Sequence, residues 1–161
     1  MSQYISFYLR CEDKFLPLMS FSRSTTLYQA FNDTYVPYGH IKPVTHHQLM
    51  LVAESLSNSE SNMRQILVRR EAEKALIPSF NNSTDEKLEA IEELDESIYE
   101  IKEELSSIEA AKTTVGVFAD IIDEAKYHKD EATINGCSEE NYLFVGVEAP
   151  TWPTIDDIVA D

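Results

Sequence analysis

KLEAIEELDESIYEIKEELSSI, residues 87–108, repeats branched apolar side chains at intervals of three and four. Ile91, Leu94, Ile98, Ile101, Leu105 and Ile108 form the a/d seam of a coiled coil sustained for about three heptads. Ser83 followed by Glu86 makes a capping box that opens this helix. Val115, Phe118, Ile122 and Ala125 continue the stripe, with TTVG at 113–116 as its weak point. The spacing predicts a helix over 83–129, about 70 Å long at the helical rise.

Working upstream, Thr45 and Gln48 form another capping box directly before an apolar run. Leu49, Val52, Leu56, Met63, Ile66 and Leu67 keep a helical stripe until Pro78 stops it. SNSESN at 57–62 is poor in helix formers and predicts a break or bend. Two long helices joined by the short polar connection SFNNST, 79–84, fold most economically as an antiparallel hairpin.

The flanks read differently. YISFYLRC, 4–11, places Ile5, Phe7, Leu9 and Cys11 on one face and Tyr4, Ser6, Tyr8 and Arg10 on the other, which is a half-buried strand. After the turn EDK, FLPLMSF (15–21) returns as a second strand, and Pro17, having no donor, belongs at a sheet edge. SRSTTLYQAFND, 22–33, predicts a short capped helix, and TYVPYGHIKP, 34–43, reads as a loop because it holds two prolines and a glycine. Beyond the hairpin, DEATINGCSEEN (130–141) is a loop and YLFVGVEA (142–149) an apolar strand that can rejoin the first two.

The expected fold is therefore α+β: a small antiparallel three-stranded sheet, two N-terminal strands plus one C-terminal strand, with a long helical hairpin inserted. Residues 1–44 and 132–149 make the sheet domain, 45–131 the hairpin with its acidic second helix, and 150–161 an acidic tail that is either mobile or docked by the ring of Trp152.

Charge separates the halves. Residues 1–78 carry seven acids and eight bases, whereas the remaining residues hold 22 acids and five bases, so the net charge of −16 lies wholly in the second half. Such a surface repels nucleic acid and anionic membrane, and a partner selected by charge is a basic protein surface. No run of apolar residues is long enough for a membrane span, and no basic-then-apolar leader opens the chain, so a cytoplasmic protein is expected. Cys11 and Cys137 are then reduced thiols.

Chemistry-bearing motifs are sparse. The four glycines are scattered, which excludes a glycine-rich phosphate loop, and no CxxC pair supports zinc. His46 and His47 point about 100° apart on a helix and read as solvent-facing or stacking residues, while His128 suits a helix C-terminus. No catalytic residue, metal or cofactor is assigned, and catalysis is the least supported class. Tyr4, Tyr8, Tyr28, Tyr35 and Tyr38 either rim a small sheet core or mark an interface.

Between Asp85 and Leu105, ten acids stand against only Lys87 and Lys102. Glu89 with Glu93, Glu92 with Glu96, Glu96 with Glu100 and Glu100 with Glu104 are like charges at i, i+4, each costing a few tenths of a kcal/mol. Either Arg64, Arg69, Arg70 and Lys74 of the preceding helix neutralise this face, or it serves a partner. The candidate binding residues are Glu89, Glu92, Glu93, Glu96, Glu100, Glu103 and Glu104.

Residues 5–31, ISFYLRCEDKFLPLMSFSRSTTLYQAF, resemble the opening of small uncharacterised acidic proteins encoded by bacteriophages and mobile elements of Gram-positive bacteria. The resemblance transfers no functional residues. It implies a class: acidic phage proteins that inhibit nucleic-acid-binding defence enzymes by occupying their basic channels as nucleic-acid mimics. The expected function is thus a non-catalytic protein-binding module. A homodimeric coiled-coil scaffold and an enzyme with a site assembled from distant residues are the alternatives.

Overall fold

Alternation of apolar side chains produces β1 (Tyr4–Cys11), and β2 (Lys14–Ser22) folds back on it antiparallel. The computed structural model describes residues 3–11, 13–32, 34, 36–127 and 143–159. Among these follow α1 (Thr26–Asn32), β3 (Lys42–Pro43), α2 (His46–Leu76), α3 (Thr84–Tyr127) and β4 (Leu143–Val147). The expected loop at 130–141, His128, Cys137 and the side chains of Cys11 and Ala125 lie outside the described residues.

The class is α+β, but the antiparallel sheet has four strands, in the order β2-β1-β4-β3, and not three. The added strand falls in the stretch read as a loop. Lys42 pairs with Val145 and Pro43 with Phe144. Pro43 is tolerated because β3 lies at the sheet edge, where no outward donor is needed. β2 forms the other edge, as Pro17 requires, and Leu18 is skipped in its pairing with β1 between Phe7↔Met19 and Tyr8↔Pro17. A bulge beside a proline blunts an edge against further pairing.

The chain divides into two compact units, residues 1–55 with 111–161, and residues 56–110. In the first, Phe7 is the hub of one sheet face: its ring centroid lies 4.4 Å from Phe118 of α3, 5.1 Å from Phe31 of α1 and 6.1 Å from Phe21. The opposite face was expected to be open, yet Tyr8, Phe15, Ile41 and Phe144 are buried there beneath Ala149 and Ile158. The C-terminal segment makes this cover through its backbone. Ile41 N–H donates to Asp157 O (2.9 Å), Val159 N–H to Ile41 O (2.8 Å), and the Tyr8 hydroxyl to Pro150 O (2.8 Å). Trp152 takes no part in that docking and is 70% exposed.

In the second unit, residues 56–76 of α2 and 84–110 of α3 run antiparallel, joined by a 3-10 turn at Ile77–Ser79. Ile98, Ile101 and Ile108 of the seam are buried within the single chain. The break expected at 57–62 does not occur, and α2 is continuous. Leu56 is buried, Met63 half-buried, and Glu60 pairs with Arg64 across the polar run, so packing outweighs weak propensity. α3 likewise passes through TTVG without interruption. Among the described residues no helix is long and apolar enough to cross a membrane.

Candidate functional site

The candidate site is the outer face of α3 between Glu89 and Glu104. Its foundation is the helix start. The Ser83 hydroxyl accepts from Glu86 N–H (3.3 Å), the Ser83 carbonyl accepts from Lys87 N–H (3.0 Å), and Lys87 Nζ donates to Pro78 O (3.1 Å). Asp85 and Glu86 occupy the first turn, where the helix dipole favours negative charge.

Once the helix is fixed, its periodicity sorts the side chains. At about 100° per residue, Glu89, Glu92, Glu93, Glu96, Glu100, Glu103 and Glu104 fall within an arc of about 120°, whose centre is about 150° from that of the Ile/Leu seam. All seven are exposed. Lys87 and Lys102 project outside the arc, so the stripe carries one sign. None of the seven makes a side-chain ion pair or hydrogen bond with another described residue.

The basic cluster of α2 does not neutralise it. Arg64 pairs with Glu60 (3.5 Å) and Arg70 with Glu73 (3.1 Å), both along their own helix. Lys74 does reach α3, at 2.5 Å, but its partner is Asp95, which lies outside the stripe. The seven glutamates therefore face solvent as an uncompensated row about 22 Å long, with about one carboxylate every 3 to 4 Å.

Two exposed apolar side chains border this row on one side: Leu88, and Tyr99 at 65% exposure. Both lie within residues 87–108 yet escape a reading by seam and charge. Their one signal is that they are large apolar side chains of that stretch at neither a nor d positions.

Elsewhere, His46 Nε2–H donates to Asp123 Oδ1 (2.8 Å), and both His46 and His47 are exposed to solvent. Thr45 caps α2 as expected, accepting from Gln48 N–H at 3.1 Å. The Gln48 side chain does not complete the box, because its amide donates to Thr34 Oγ1 (3.3 Å), leaving the buried Oε1 without a hydrogen-bond partner. Among the described residues no three His, Cys, Asp or Glu side chains are grouped to hold a metal ion. Comparison of the chain with protein-family models, with curated proteins and with solved structures returns no match.

Proposed function

We propose that the protein is a non-catalytic binding module whose α3 glutamate stripe engages the basic surface of a nucleic-acid-binding protein, in the manner of a nucleic-acid mimic. The supporting observation is the row itself: seven exposed carboxylates of one sign on one helix face. Their axial spacing of about 3 to 4 Å is close to the 3.4 Å between phosphates along one strand of B-DNA. A channel lined with Lys and Arg for a phosphate backbone therefore meets a similar linear charge density here. Leu88 and Tyr99 at the border supply apolar contact, which exposed charge alone does not. The N-terminal resemblance to phage-encoded acidic proteins agrees with an inhibitor of a defence enzyme.

The test is capture from an extract of the cells in which the chain is found, using the wild-type protein and a Glu92→Gln, Glu96→Gln, Glu100→Gln, Glu103→Gln variant side by side. The expected result is a nucleic-acid-binding protein held by the wild type at low salt, released as salt rises, lost by the variant and displaced by a DNA duplex. Binding indifferent to both the variant and the salt concentration overturns the reading, because exposed charges are screened within about 10 Å at 0.1 M salt.

A further inference from the structure

Residues 149–159 cover one face of the sheet, and part of that segment holds its shape by itself. Thr154 N–H donates to Asp157 Oδ2 (2.7 Å), Asp157 N–H to Thr154 O (3.0 Å) and Ile158 N–H to Ile155 O (3.2 Å), so the 3-10 turn at Ile155–Asp157 closes on its own bonds. The segment is tied to the sheet by its two backbone bonds at Ile41, by the Tyr8 phenol on Pro150 O and by the apolar contacts of Ala149 and Ile158. Within 151–159 only Pro153 is buried. Beneath this thin cover Tyr8, Phe15, Ile41 and Phe144 are almost wholly withdrawn from water. A locally closed, mostly exposed segment opens at lower cost than the strands below it.

The seat of the segment is a sheet edge. On the inner side of the β3 strip, Gly39 N–H donates to Val147 O (2.7 Å) and Val44 N–H to Leu143 O (2.8 Å), which fastens the strip to β4. On the outer side, Ile41 and Ile158 form a parallel bridge. Backbone bonds at an edge, with an alternate side chain set on an apolar cluster, are the geometry of peptide recognition by strand addition. Here the added strand belongs to the same chain. We propose that residues 149–159 are an intramolecular strap over a strand-addition site, and that opening the strap presents the outer edge of Ile41 and the Tyr8, Phe15 and Phe144 face to an extended segment of a partner protein. The seated segment states the chemistry of that occupant: it runs parallel to residues 41–43 and carries a branched apolar side chain where Ile158 sits. While closed, the strap competes at an effective concentration of about 1 mM, as a tethered ligand does, so a dilute partner gains the site only when the strap is loosened.

Hydrogen exchange of the full chain reads the strap without any substitution. The Ile41 and Val159 amides, which bond across the strap, should exchange together and at least about tenfold faster than those of Gly39 and Val44, which bond to β4 on either side of Ile41. Ile158→Ala should quicken the first pair and leave the second unchanged. A labelled peptide of residues 149–159, APTWPTIDDIV, should bind the full-length Ile158→Ala chain at least about tenfold more tightly than the wild type, whose own strap competes. The same peptide with Ile158→Asp should not bind. One common exchange rate for the four amides, or peptide binding equal in the two chains, overturns the proposal. A wild-type dimer abolished by Ile158→Ala also overturns it, because the segment would then be exchanged between copies. None of these readouts depends on what the α3 glutamates bind.

Discussion

Gly146 of β4 lies against the backbone carbonyl of His40 with no room for a β-carbon between them. The contact follows from the register: Tyr38 bridges to Val147 and Lys42 pairs with Val145, so the intervening backbone must cross close to residue 146. Gly146→Ala has to move backbone and not merely a flexible side chain. We expect it to cost about 2 to 3 kcal/mol, the upper part of the range for overpacking. Gly39 is a control of another kind, with φ 76° and open space around it. Gly39→Ala should cost about 1 kcal/mol through its backbone conformation alone. Urea unfolding of the two variants separates these causes.

The same region marks where the sequence stops being legible. Strands β1, β2 and β4 and helices α1, α2 and α3 follow from periodicity, capping residues and Pro78, because each signal is local. β3 is two residues long, and its prolines and glycine argue for a loop. Its pairing is decided by β4, about a hundred residues away in sequence. Burial of Tyr8 was likewise invisible, since period-two alternation reports one covered face and cannot anticipate a C-terminal segment laid over the other. The glutamate stripe was fully legible because helix geometry alone places it.

Tyr8 carries a pH dependence with a definite sign. Burial holds its phenol above the ordinary value of 10.0, opposed by a hydrogen bond with the Ser6 side chain and reinforced by the negative charge of Asp157. A folded-state pKa above the unfolded one means that the stabilisation is fully present below about pH 10 and is lost as pH rises through the folded value. The urea midpoint should therefore fall in that alkaline window. Tyr8→Phe should remove this part of the fall while costing about 1 kcal/mol at neutral pH, for the lost bond to Pro150 O.

In residues 56–110 the apolar seam outweighs the ion pair. Ile108 is fully buried, and Ile108→Ala should cost about 3 kcal/mol through lost transfer energy and the cavity left behind. Lys74 and Asp95 are each about half exposed, so solvent screens their attraction. A double-mutant cycle with Lys74→Ala and Asp95→Ala should return a coupling of less than about 1 kcal/mol. Thermal or urea unfolding of these variants would reverse the ranking only if the helices were held chiefly by charge.

Glu96 sits in the middle of the stripe, four residues from both Glu92 and Glu100, so it takes part in two like-charge pairs on an exposed face. Each such pair costs a few tenths of a kcal/mol, and a lysine at 96 converts both into attractions of similar size. Glu96→Lys should therefore stabilise the protein by about 1 kcal/mol at low salt, with the gain fading as salt is added. The same substitution breaks the row of carboxylates at its centre and places a cation against the basic surface that the row is proposed to meet. It should weaken partner capture while raising the unfolding midpoint. That opposition separates the two origins of the stripe. A face that is only solvated would gain stability from the lysine and lose no binding, whereas a binding face carries its mutual repulsion for the sake of the partner.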